Sequence, residues 1–133
     1  MKNNKGFTLV ELMAVIVVLA IIIAIAVPSA ITISHKIKLK MYDTKIDMIL
    51  SSAKICGQDN PASVGIDSTC GTGVGKVKVS ELVSKGYIKK DDTEKGSVLN
   101  PVDNSSLNEH SVCIYKKNNR IYAEKIDVGT NKW

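Results

Sequence analysis

Lys5-Gly6-Phe7-Thr8-Leu9-Val10-Glu11-Leu12-Met13 opens a run of apolar residues that ends only at Pro28. From Phe7 to Val27, 19 of 21 residues are apolar; Thr8 and Glu11 are the exceptions. About 20 such residues cross a hydrocarbon core of ~30 Å as a helix, so 7–27 is predicted to span a membrane. Lys2 and Lys5 precede the run, which places the short N-terminus in the cytoplasm and the remainder outside. A secretory signal peptide is the competing reading, with Ala24-Ile25-Ala26 as a small-x-small site and a secreted domain released after Ala26. Against it, the run exceeds the usual ~7–15 residues of a signal core. It also contains Glu11, a carboxylate that is costly in hydrocarbon unless something pairs with it.

The rest of the chain is more polar. The 133 residues are 44% apolar overall, but only 39 of the 106 from Pro28 to Trp133 are. That composition folds around a small core. It leaves room for one domain and an appendage, and none for a multidomain enzyme. The formal charge is +5, of which Lys2 and Lys5 carry two, leaving +3 for the remainder. Such a scattered charge does not by itself indicate nucleic-acid binding. The basic stretch His35-Lys36-Ile37-Lys38-Leu39-Lys40 reads as a solvated helix face or a membrane-surface flank.

The opening stretch closely resembles the N-terminus of type IV prepilins and pseudopilins. In that family a short basic leader ends in Gly. A dedicated peptidase cuts after it and methylates the new N-terminal residue, usually Phe; Glu follows as the fifth mature residue and Pro as the twenty-second. Gly6, Phe7, Glu11 and Pro28 match all four anchors. The resemblance implies a leader, 1–6, a membrane and filament-core helix, 7–27, and an amphipathic helix with a globular head, 28–133. It covers residues 1 to about 30 by motif.

The chemistry of these residues fits such roles. Gly6 presents no side chain to a protease that must approach the backbone. Cleavage would expose an amine at Phe7, a positive charge near the membrane edge. Glu11 then needs a positive partner. Residues 7 and 11 are an i, i+4 pair on one helix, which permits a contact within the chain. The resemblance implies instead that Glu11 neutralises the Phe7 amine of an adjacent subunit and so sets the axial register. Pro28 deletes one helix hydrogen bond. In the family this region can lose helical structure on assembly. Here the fourteenth mature residue is Ala20, where many members have Gly, so fewer residues weaken the helix.

No Gly or Pro interrupts Ile31–Ile55, and Gly57 is a candidate helix stop. At 100° per residue, Ile37, Met41, Met48 and Ile55 form one apolar stripe. Leu39, Tyr42, Ile46, Ile49, Leu50 and Ala53 form another, roughly opposite. A helix lying on one small domain needs a single stripe; two stripes suggest the chain's own sheet and neighbouring helices. A helix inserted deep in a domain is the alternative. Unbroken from Phe7 to Ile55, the helix would be ~70 Å long.

Gln58–Lys76 reads as a long loop. Its Gly71-Thr72-Gly73-Val74-Gly75-Lys76 resembles a phosphate-binding loop only faintly, and Val77 stands where Ser or Thr should follow the lysine. Ser80–Lys85 is predicted as a short helix with Ser80 as N-cap and Gly86 as stop. Tyr87-Ile88 and Ser97-Val98-Leu99 are short strand candidates. Leu82-Val83-Ser84-Lys85-Gly86-Tyr87-Ile88 also resembles a mid-domain segment of many pilins and major pseudopilins. Ser111–Tyr115 and Arg120–Ile126 alternate as a hairpin around Lys117-Asn118-Asn119. The expected fold is α+β: a long N-terminal helix packed on a small antiparallel sheet of about three or four strands.

Cys56, Cys70 and Cys113 are an odd set. Cys56–Cys70 would close the loop after the long helix; a bond to Cys113, or three thiols, are the other outcomes. Many family members close a C-terminal loop with two cysteines, but no cysteine follows Cys113. No Cys/His spacing suggests zinc. His35 and His110 sit in no catalytic motif. Asp103, Asn104, Ser105 and Glu109 offer oxygens without the spacing of a calcium loop and read as a solvated turn. No cofactor, metal or catalytic residue is expected.

The expected function is that of a type IV pilus subunit, a structural protein rather than an enzyme. It would sit single-pass in the bacterial cytoplasmic membrane and then move into a surface pilus. Its partners would be the prepilin peptidase and methylase, other pilin subunits, the assembly ATPase and a membrane platform protein. A pseudopilin of a type II secretion or competence DNA-uptake machine is the first alternative, and a monomeric membrane-anchored binding module the second. Nucleic acid is a weak candidate partner, through sites repeated along a filament.

Overall fold

The structure is a computed structural model and describes residues 6–66, 70, 74–127 and 133. Helix α1 runs from Leu9 to Asp59, with Pro28 inside it. A 3₁₀ turn, Pro61–Ser63, leads to β1 (Gly65–Ile66). Then come β2 (Lys76–Lys78), helix α2 (Val79–Ser84), a long irregular segment, β3 (Ser111–Lys117) and β4 (Arg120–Ile126). Leu39–Trp133 forms one compact unit, and the residues before Leu39 form a second.

The fold is α+β, as expected. The sheet has four strands, with β3 at its centre. β4 runs antiparallel along the whole of β3. The opposite edge of β3 is shared: β2 pairs antiparallel with Ser111–Cys113, and β1 pairs parallel with Tyr115 and Lys116. The sheet is therefore mixed, where an antiparallel one was expected. The parallel pair follows from the chain path, because β1 reaches β3 from the end of α1 and not through a hairpin turn.

The unit from Leu39 onward is built on one face of α1. Ile49, Ala53 and Cys56 are fully buried, Ile46 nearly so, and Tyr42 and Leu50 pack partly against the same core. Val112 and Ile114 of β3, Leu82 of α2, and Val98 and Leu107 of the irregular segment complete it. The helix passes its expected stop at Gly57 and ends at Asp59. Gly57 is buried in the helix, where an added Cβ would lie 2.6 Å from the Ile114 Cγ2 methyl. Its lack of a side chain lets helix and sheet approach closely. Lys45 ties the helix to the irregular segment through an ion pair of 2.6 Å with Asp91. The same Asp91 oxygen accepts the Leu99 N–H at 2.9 Å, and the other accepts from the Lys45 ammonium at 2.7 Å; burial pushes the carboxyl up, but the Lys45 and Leu99 hydrogen bonds prevail and hold it below the usual carboxylate range.

Three local expectations differ. The Gln58–Lys76 loop contains β1 and ends at β2. Tyr87-Ile88 and Ser97–Leu99 are not strands; only isolated bridges, Asp92 to Ser97 and Leu99 to Ser106, occur there. Ile88 and Val98 are buried as single plugs in irregular chain. The cap of α2 is Lys78, whose N–H is accepted by Glu81 at 3.1 Å, and not Ser80. The hairpin is as expected but longer, with Asn118 and Asn119 alone at its turn.

Candidate functional site

The residues singled out at the N-terminus lie at the start of α1. Gly6, Phe7 and Thr8 precede the helix, and Phe7 is 84% exposed. An added Cβ at Gly6 would meet nothing within 4 Å, so among the described residues nothing crowds that position. Lys2 and Lys5 lie outside the described residues.

Thr8 and Glu11 form a capping box. Glu11 Oε2 accepts the Thr8 N–H at 2.9 Å and the Thr8 hydroxyl at 3.1 Å. In return Thr8 Oγ1 accepts the Glu11 N–H at 3.3 Å. Two amide groups that a helix start leaves unsatisfied are thereby paired. The expected i, i+4 relation of Phe7 and Glu11 does not arise, because Phe7 lies ahead of the cap and outside the helix. The carboxylate instead points back at the backbone one residue after Phe7. Sequence reasoning missed Thr8, although Thr8-Leu9-Val10-Glu11 carries the capping-box spacing.

Downstream, the most apolar 18 residues of α1 have a mean hydropathy of 3.2, and none of that window is buried. This length and composition suit a membrane anchor. The helix continues through Pro28. The Ser29 hydroxyl donates to the Ile25 carbonyl at 3.2 Å, and the Thr32 hydroxyl donates to the Pro28 carbonyl at 3.1 Å. Side-chain bonds of this kind lie on both sides of the place where proline removes a backbone donor.

Residues 1–27 match the family model described as the prokaryotic N-terminal methylation motif. These residues are a prepilin leader and helix of the type IV pilin and pseudopilin kind. Over them the chain carries the motif of pilin-like and pseudopilin proteins, and its apolar helix fits membrane anchoring before assembly. The match implies processing by a prepilin peptidase and assembly with other pilin subunits. It ends before Pro28 and includes none of the head. No curated protein and no solved structure gives a significant match.

The head is cross-linked differently from the first expectation. Cys70 is bonded to Cys113, with Cα atoms 5.8 Å apart, and Cys56 is a buried free thiol. A Cys56–Cys70 bond is excluded by the helix: Cys56 sits on its inward face in the core. Along β3, Val112 and Ile114 face that core, so Cys113 points to the other side of the sheet. The bridge spans 43 residues and so fastens the chain before β2 to the central strand. In the chain-entropy model a ring of that size contributes ~4 kcal/mol. Reduction, or Cys70→Ser, is expected to lower the melting temperature of the head markedly, whereas Cys56→Ala should leave the melt as sensitive to reductant as the parent. Thermal melts with and without reductant check both.

Trp133 was also missed. Its indole N–H donates to the Ile126 carbonyl at 3.1 Å and the Ser111 carbonyl at 3.3 Å, and its ring lies 4.8 Å from that of His110. It holds the open end of the β3–β4 hairpin. In the Asp103 turn, the carboxylate accepts the N–H and hydroxyl of Ser105, which keep it below the usual range. Glu109 pairs instead with Lys78 at 2.7 Å. These acids serve separate partners.

Proposed function

We propose that the chain is the structural subunit of a type IV pilus, cut between Gly6 and Phe7, methylated on the Phe7 amine, and polymerised through α1. One observation carries this reading beyond the N-terminal motif. Of the two apolar stripes on the helix, one is covered by the head at every position but Leu39. The other remains in water: Ile37, Met41, Met48 and Ile55 are each about half exposed. Apolar side chains repeated over four turns and more, past the end of a membrane span, need a covering surface. Neighbouring α1 helices in a filament supply one.

Assembly then turns on Glu11. In the single chain its carboxylate is held by Thr8. In the filament it would face the Phe7 amine of the adjacent subunit, a charge that exists only after cleavage. Only a processed neighbour offers Glu11 a cation, so processing and docking are linked. The assembly ATPase and platform would supply the work of extracting each helix from the membrane.

The test is the intact mass and N-terminal residue of the protein recovered from membranes and from sheared surface material. A chain that starts at singly methylated Phe7 and occurs in the sheared fraction is the expected result. The same processed chain confined to the envelope would indicate a short pseudopilus. A start at Val27 would identify a secreted domain, and an uncut chain a simple anchor; either overturns the proposal.

A further inference from the structure

The turn of the β3–β4 hairpin sets two like charges against each other. Asn118 and Asn119 both have positive φ, 49° and 61°, which gives a two-residue turn matched to the twist of the strands. Lys117 and Arg120 flank it as direct cross-strand partners, and both are exposed. Like charges in that position destabilise a ladder. Among the described residues nothing offsets this. The ion pairs among the described residues are Lys45–Asp91 and Lys78–Glu109. No hydrogen bond from either tip side chain occurs among the described residues. Exposed Lys116 adds a third cation near the tip, on the opposite face of the strand.

The next layer defines what the pair can recognise. Tyr115 and Tyr122 are the adjacent cross-strand partners and stack at 5.5 Å and 16°. Tyr115 is buried, and its hydroxyl donates to Glu124. Glu124 is the carboxylate on this face, four residues along β4 from Arg120, or about 13 Å at strand rise. The tip is thus cationic, projecting and fixed in place by a tight turn. Of its two aromatic rings, Tyr115 is buried and Tyr122, 36% exposed, is stacked on it by one face, so the cations dominate the tip.

We propose that the hairpin tip binds the backbone of a phosphodiester polyanion, with Arg120 and Lys117 each on a phosphate. The Arg fork matches two phosphate oxygens, and Lys acts as a point charge beside it. A polymer with charges in series neutralises both cations, which a single carboxylate does not. Recognition is of the backbone, so a nucleic acid and a base-free wall polymer such as poly(glycerol phosphate) are two sources of one ligand chemistry. Binding by one chain is weak; repetition along a filament would multiply it, but the site itself does not depend on the filament reading.

The full chain in a neutral detergent is titrated with a mixed-sequence single-stranded oligonucleotide and, separately, with poly(glycerol phosphate), across a salt series. Both are expected to bind, and the Lys117→Ser/Arg120→Ser variant to bind about tenfold or more weakly. For the oligonucleotide, the salt slope should fall by roughly 1.4, two contacts at about 0.7 each. The variant should melt at or above the parent temperature, because a repulsion is removed. A control variant, Lys54→Ser/Lys85→Ser, loses the same charge from exposed sites elsewhere and should bind like the parent. Equal weakening in the control would reduce the effect to net charge and overturn the proposal. So would unchanged binding by the tip variant, a lower melting temperature for it, or binding of the oligonucleotide alone.

Discussion

Glu11→Ala is expected to abolish filaments while the chain still enters the membrane. The two effects run in opposite directions, which makes the experiment decisive. Removing a carboxylate from the apolar run eases insertion by up to about 3 kcal/mol. In the proposed filament the same change leaves each Phe7 amine without its counter-charge, and breaking a buried pair costs about 3–5 kcal/mol. At 1.36 kcal/mol per decade, that is on the order of 10²-fold or more at every subunit added. A polymer that pays this at each step does not grow. Glu11→Gln separates the charge from the helix cap: an amide oxygen can still accept the Thr8 N–H, as in other capping boxes, but cannot neutralise an amine. It should fail as Ala does. Thr8→Ala removes only the cap, worth about 1 kcal/mol, and should thin the filaments without eliminating them. Electron microscopy of sheared material, with membrane fractionation of the same cells, reads all three. Normal filaments from Glu11→Gln would show that the cap, and not the charge, is what assembly needs.

The N-terminal half was legible because its signals are local. A run of 19 apolar residues in 21 needs no tertiary context to be read as a helix long and apolar enough to cross a membrane. The two stripes on its continuation were also readable, since 3.6-residue periodicity puts Ile46, Ile49 and Ala53 on one side whatever they meet. Their burial, and the exposure of Met41, Met48 and Ile55, followed that division; Leu39, assigned to the inner stripe, remains exposed. The hairpin was legible for the same reason, with alternation on both sides of a tight turn. The misses were non-local. β1 is two residues long and pairs with residues some fifty positions later, so no pattern within it announces a strand. Three cysteines leave the pairing open until the topology places Cys113 on the far face of β3. Ile88 and Val98 looked like strand fragments because a short apolar run has no period; each fills one gap in the core. Thr8 differs from these, since its capping-box spacing lay in plain sequence beside Glu11.

Gly75→Ala is expected to unfold much of the head, and the reason is space as much as backbone angle. Gly75 has φ +84°, which costs an L residue roughly 1–2 kcal/mol. It also lies where the chain entering β2 crosses β1. A Cβ there would be 2.5 Å from the Ile114 carbonyl oxygen and 2.8 Å from the Gly65 backbone nitrogen. Both neighbours are backbone, and neither can rotate away. The Gly75 carbonyl itself accepts the Ile114 N–H at 2.6 Å, so any shift that relieves the overlap breaks a bond to the central strand. Strain and lost pairing together put the expected destabilisation at 3 kcal/mol or more, about the range kept for special-backbone and overpacking changes combined. Gly75→Asn distinguishes the two causes. Asn tolerates positive φ better than Ala, but its Cβ occupies the same position. If overlap dominates, Asn melts as low as Ala; if the angle dominates, Asn recovers most of the loss. The close approach of three backbone segments at this point predicts the first outcome, and thermal melts of the two variants beside the parent decide it.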